Sequence, residues 1–242
     1  SSPDPRLFDV RDVQILRGPQ GTLYGEGSVG GLVIITNNQP NADEFQAKLD
    51  ATYSETDHAD EGNHELNGMI NVPIVENRLA LRAVGYQRSY AGFIDLVSTG
   101  NALEGDLFAP VPVIPAGPGV VVKEDANTED VTGGRVALGY TDGTVFDVTL
   151  TYSFQDLEVG GDNLIMPDTR RAMFPGVDEY STFDDKPATR DDRYRQLAGE
   201  LNYDFGGAAF YASAGYHERE LDTTTLFATA IFDAPTPFYP FG

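Results

Sequence analysis

Between Phe45 and Ser54 apolar and polar residues take turns without a break. Phe45, Ala47, Leu49, Ala51 and Tyr53 fall on one side, and Gln46, Lys48, Asp50, Thr52 and Ser54 on the other. A period of two is that of a β-strand with one greasy and one wet face. The alternation returns over Leu66 to Val72, Arg135 to Tyr140, Phe146 to Phe154, Leu197 to Phe205 and Phe210 to Tyr216. One more strand is expected over Leu79 to Arg88, whose faces are less cleanly separated. The pattern predicts a mainly β chain of roughly seven antiparallel strands beyond residue 45.

The connections alternate as well. Pro73 to Asn77, Thr141 to Thr144 (with the hairpin dipeptide Asp142-Gly143) and Gly206-Gly207 are short, whereas Glu55 to His64, Ser89 to Thr132 and Asp156 to Arg193 are long. One rim therefore carries long loops and the other tight turns. With strands of about ten residues and aromatic residues near their ends, this asymmetry predicts a transmembrane β-barrel. Leu150, Tyr152, Leu201 and Tyr203 are then expected to face lipid, and Thr151, Ser153, Glu200 and Asn202 the lumen. Alternation alone also fits a secreted β-sandwich or jelly roll that binds glycans or proteins, and that alternative stays open at this point.

A different kind of stretch precedes the strands. From Val13 to Thr36, two apolar β-branched runs, Val13 to Leu16 and Leu32 to Ile35, flank a glycine-rich connection containing Pro19. Gly25-Glu26-Gly27-Ser28-Val29-Gly30 fits the G-x-G-x-x-G spacing of phosphate loops, but a dinucleotide loop has to open a helix. Leu32 to Thr36 instead reads as a strand broken soon after by Asn37, Asn38 and Pro40. Neither a Walker Gly-Lys-Ser/Thr nor the other kinase signatures follow.

The stretch closely resembles the end of the plug domain in TonB-dependent outer-membrane receptors. The positions that carry the resemblance are Leu16, Arg17, Gly18, Pro19, Gly21, Leu23, Tyr24, Gly25, Gly30, Gly31 and Ile34 to Thr36. Two departures from the family pattern are Glu26-Gly27 after Tyr24-Gly25 and Asn38-Gln39 before Pro40. The resemblance implies residues 1–40 as the C-terminal part of a plug and residues 41–242 as the N-terminal part of a barrel. In the family that barrel has about 22 strands. It implies a motif made of Arg17, Gly18, Pro19, Gly21, Tyr24, Gly25, Gly30 and Gly31, with Arg17 expected to pair with a barrel-wall carboxylate. Lys48, Asp50, Glu200 and Asp204 are expected to hold the plug from the lumen side. The implied function is energy-coupled import of a scarce large ligand across the outer membrane of a Gram-negative bacterium. A ferric siderophore is foremost, with cobalamin, haem or an oligosaccharide as other cargoes. The implied partners are outer-membrane lipid, the cargo and the TonB complex. Ser1 to Asp9 and Phe238 to Gly242 read as cut ends, so the segment that meets TonB is expected outside this sequence.

Composition narrows the rest. The 242 residues include 38 acidic against 16 basic, a net charge of −22, which argues against nucleic acid as a partner. There is no cysteine, hence neither a disulfide frame nor a cysteine nucleophile. Asp57 to Gly62 faintly resembles a calcium loop but has Ala59 and Gly68 where oxygen ligands belong. His58, His64 and His217 lack zinc spacing. With no Gly-x-Ser-x-Gly elbow either, the sequence predicts no enzyme, no metal site and no cofactor.

Overall fold

The computed structural model describes residues 7–19, 30–98, 120–165, 177–183 and 187–224, and every regular element among them is a strand. Strands β1 (Val10–Arg17) and β2 (Gly31–Asn37) form an antiparallel hairpin. Seven strands then build one antiparallel sheet: β3 (Gln46–Glu55), β4 (Gly62–Val75), β5 (Leu79–Tyr90), β8 (Glu129–Thr141), β9 (Phe146–Val159), β11 (Arg190–Asp204) and β12 (Ala209–Thr223). Neighbours in sequence are neighbours in space, as short turns and uncrossed loops demand.

Every strand that alternation predicted is present, and most run longer. β11 starts at Arg190, ahead of its alternating stretch, because Arg190 to Arg195 pair with β9 despite their charge. Asp192 explains how that charge is tolerated. Its side chain is buried and accepts hydrogen bonds from Arg190 Nη2 at 2.6 Å and from Arg219 Nε and Nη2 at 2.7 and 2.6 Å.

The outer face carries an apolar band with a defined upper edge. Phe146, Val148, Leu150, Tyr152 and Phe154 climb β9 and are followed by Asp156 and Glu158. On β11, Tyr203, Leu201 and Leu197 give way to Arg195 and Arg193 at the matching level, where Phe154 lies opposite Arg195 and Asp156 opposite Arg193. At about 3.3 Å per residue and a tilt near 40°, Phe146 to Phe154 rises roughly 20 Å, close to the apolar height of a transmembrane barrel. Tyr140, Phe146, Tyr203 and Phe205 cluster near the short turns, with ring centroids 4.6–6.3 Å apart. The sandwich alternative needs a second sheet over this face. Among the described residues there is none, and Leu49, Leu150 and Tyr216 stand 74, 52 and 69% exposed.

The inner face explains the blurred pattern of Leu79 to Arg88. Ala80, Arg82 and Val84 point inward and are buried, so that part of the wet face is free to be apolar. The hairpin lies over it, as its contacts with Arg82 show.

The described parts of the long connections form strands of their own. β6 (Asp95–Ser98), β7 (Val120–Lys123) and β10 (Ser181–Phe183) join in a second, three-stranded sheet in the order β10-β6-β7. Asn127 ties it down: its Oδ1 accepts the backbone N–H groups of Phe93 and Ile94 at 2.8 Å, and its Nδ2 donates to Asn163 Oδ1 at 2.6 Å. The first long connection joins through Asp60 N–H, which donates to Asp125 Oδ2 at 2.9 Å. Residues 99–119 of the second long connection, with Pro110, Pro112, Pro115 and Pro118, lie outside the described residues.

The Asp142-Gly143 turn forms as the dipeptide predicts, with Gly143 at φ 81°. Asp142 Oδ1 accepts the backbone N–H groups of Phe146, Thr144 and Val145 at 3.0, 2.8 and 2.9 Å. These bonds hold its carboxyl down to about 2. A depressed carboxyl stabilises the fold fully above its ordinary value of 3.8 and loses that contribution as pH falls toward about 2. The amide resonances of Thr144 to Phe146 are therefore expected to titrate in that window, and Asp142→Ala to abolish the step.

Among the described residues β3 and β12 are the sheet's edges, each paired on one side only. Such edges template association in water. Expressed by itself, this chain is expected to aggregate; a soluble monomer with a cooperative melt would count against the open sheet.

Candidate functional site

The hairpin meets the sheet at Asp9, one residue before β1. Its backbone turns at φ 61°, a left-handed conformation that Asp and Asn adopt more readily than most residues. That turn directs the carboxylate at the inner face. Arg82 from β5 donates through Nε to Asp9 Oδ2 at 2.8 Å and through Nη2 to Oδ1, a forked pair. Arg135 from β8 donates through Nη2 to Oδ2 at 2.6 Å. Asn38, just past β2, donates Nδ2 to Oδ1 at 2.9 Å and its backbone N–H to the Asp9 carbonyl at 3.1 Å. All three charged side chains are buried, to 3, 5 and 9% exposure for Asp9, Arg82 and Arg135. Burial pushes the Asp9 carboxyl up; hydrogen bonds from Arg82 and Asn38 and the charges of Arg82 and Arg135 outweigh it, and the net direction is down.

A second junction follows directly. Asn71 of β4 is fully buried, and its side chain satisfies the linker's backbone. Nδ2 donates to the carbonyls of Asn41 and Glu44 at 2.8 Å, and Oδ1 accepts the Asn41 N–H at 2.9 Å. Pro40 sits on Gly139 of β8, where a Cβ would lie 3.1 Å from the proline Cβ. Lys48 of β3 lies 5.1 Å from the Phe8 ring centroid. Hairpin and linker are thus held by ion pairs, amides and a proline on the β3, β4, β5 and β8 side.

Toward β9, β11 and β12 there is a gap among the described residues. A cleft of about 760 Å³ runs between Ile35 to Gln39 and the inner face, past Thr149, Thr151, Ser153, Ala198 and Glu200.

The residues expected from the motif occupy the other end of the hairpin. Arg17 closes β1 with an exposed side chain, opposite Gly31. Gly18 takes φ 82° and Pro19 is exposed. Gly21, Tyr24 and Gly25 lie outside the described residues. Gly31 has φ 141°, and a Cβ there would come within 2.6 Å of the Leu16 carbonyl oxygen, whereas a Cβ on Gly30 would meet open space. Gly31→Val is expected to destabilise the hairpin by about 1–3 kcal/mol of backbone strain, and Gly30→Ala to leave it unchanged, read as protease protection in the full-length protein.

Of the lumen residues expected to hold the plug, Lys48 touches the hairpin region and Glu200 lines the cleft. Asp204 serves its own turn, accepting the Gly206 N–H at 2.7 Å. Asp50 is exposed. Sequence reasoning missed Asp9, Arg82, Arg135 and Asn71. The available signal was parity: Arg82 and Arg135 occupy wet-face positions in otherwise apolar strands.

Sheet, hairpin and buried ion pair together define a class of fold, a two-stranded hairpin seated on the inner face of a seven-stranded antiparallel sheet, and solved outer-membrane receptors share it. Among solved structures, the chain is similar to the ferric yersiniabactin uptake receptor FyuA from Yersinia pestis. The TM-score is 0.63 at 16% identity, over 89% of this chain and 29% of that one. The siderophore receptor PiuA from Acinetobacter baumannii gives 0.64 at 14% identity, over 92% and 28%. By sequence, the pesticin receptor of Yersinia pestis is 53% identical over 36 residues, which are 15% of this chain and 5% of that protein. The chain thus spans under a third of the solved receptors it resembles. No family model matches it.

Proposed function

We propose that residues 1–40 are the end of a plug and residues 41–242 the first wall strands of an outer-membrane importer of ferric siderophores, driven through TonB. The observation that supports this most directly is the seat of the hairpin. It is fixed to the inner face by polar and ionic contacts around Asp9 and Asn71, while the apolar surface of the sheet faces the other way. A plug held so can be displaced by work without exposing a hydrophobic core, and the outer band is free to face lipid. The cargo assignment leans on the similar receptors, one for ferric yersiniabactin uptake and one for siderophores.

The test is uptake of radio-iron as ferric yersiniabactin and ferric enterobactin by cells whose only siderophore receptor is the full-length protein, with and without TonB. Import that vanishes without TonB is expected. TonB-independent accumulation, or none with any ferric chelate while haem or cobalamin is taken up, would reassign the cargo or the class.

A further inference from the structure

The three long connections, 56–61, 91–128 and 160–189, lie far apart in the chain, yet three consecutive residues just ahead of β8 bind them together. Asp125 Oδ2 accepts the Asp60 N–H of the first connection at 2.9 Å, and the Asp125 N–H donates to Asp95 Oδ1 of the second at 3.1 Å. The Ala126 N–H donates to the Ile94 carbonyl at 2.7 Å. Its carbonyl lies so near the third connection that a Cβ on Gly160 or Gly161 would come within 2.7 or 2.9 Å of the oxygen. Asn127 accepts from the Phe93 and Ile94 N–H groups of the second connection and donates to Asn163 of the third. Ala126 and Asn127 are 3 and 7% exposed.

One aromatic ring from each connection also meets. The Tyr180 ring lies 4.1 Å from that of His58 and 6.1 Å, edge-on, from that of Phe93. The Asp95 N–H closes the set by donating to the Tyr180 carbonyl at 2.8 Å. Loops tied singly to their own strands open at little cost, whereas loops that share buried amides have to open together. On a transmembrane barrel the long connections face outward, where cargo arrives. We propose that Asp125, Ala126 and Asn127 are a positioning element for cargo capture, holding the three long connections as one body at the outer mouth. This rests on the importer reading above.

The test uses the full-length receptor. The Asp60 and Asp95 amides join the first connection to the second and the second to the third. In the wild type they are expected to exchange hydrogen through one common opening, with protection equal to within about tenfold. A larger difference would mean that the connections open singly, and would overturn the proposal without any variant having to fold. Asn127→Ala leaves two buried N–H groups without an acceptor. It is expected to speed exchange at both Asp60 and Asp95 by roughly ten- to a hundredfold, although the Asn127 side chain bonds to neither. Acceleration confined to Phe93 and Ile94 would overturn the single body.

In cells, Asn127→Ala is expected to raise the half-saturating concentration of ferric yersiniabactin or ferric enterobactin about tenfold at unchanged maximal import. Asn127→Asp is expected to restore it, because a carboxylate keeps both acceptor bonds and the Asn163 amide can turn to donate. An unchanged half-saturating concentration, or one that Asn127→Asp fails to restore, would overturn the positioning role. If the wild-type receptor imports neither chelate, the cargo reading fails instead, and the exchange rates still decide whether the connections are one body.

Discussion

Asp9→Ala in the full-length protein is expected to weaken the hold of the hairpin on the wall by about 3–5 kcal/mol, the cost of leaving buried charge uncompensated. The magnitude follows from what remains. Arg82 and Arg135, 5 and 9% exposed, would face each other without the carboxylate that both use. Replacing the arginines as well, by Met at 82 and 135, is expected to recover part of the loss, because a neutral junction of similar volume carries no stranded charge. Protease protection of the hairpin under rising urea reads the effect. An Asp9→Ala profile that matches wild type would show that the ion pairs are incidental. Acid should reproduce the substitution. The Asp9 carboxyl is held below its ordinary 3.8, so its contribution is complete above that value and lost as pH falls beneath it.

Leu150→Arg is expected to cost about 2–4 kcal/mol of folding free energy in a bilayer, since the residue sits midway up the exposed apolar band that the proposed importer turns toward hydrocarbon. The neighbouring Thr151→Arg points into the cleft and is expected to cost much less. Folding titrations into lipid vesicles separate the two. Equal costs would mean that the two faces have been exchanged or that neither meets lipid.

The strands were legible because alternation depends on nearest neighbours only, and the strand-by-strand partners then followed from short turns. What was not legible depended on separation along the chain. Asp9 lies 73 residues from Arg82 and 126 from Arg135. It precedes β1 in a polar stretch that reads as a frayed end. Asn71 looks like any wet-face residue until its linker partners are known. The small sheet of β6, β7 and β10 was invisible for another reason: segments as short as Asp95–Ser98 and Ser181–Phe183 are too brief to show a period, and β10 pairs with β6 in parallel from a distant part of the chain, Ser181 opposite Asp95. The Arg17 expectation came from the resemblance. In this chain the described ion pairs between the hairpin's entry and the sheet run with the acid at Asp9, just ahead of β1, and the bases on β5 and β8.

The backbone of Asp9 narrows what evolution can do at this position. Its φ of 61° admits Gly, Asn and Asp at little cost and disfavours longer side chains, while the two guanidinium groups ask for a carboxylate. Only Asp meets both demands, so the exchange with Glu, elsewhere among the mildest of mutations, is closed here. Lineages that abandon the acid are expected to pass through Asn or Gly and to have shed an arginine at position 82 or 135 along the way. The three codons should therefore drift together or not at all.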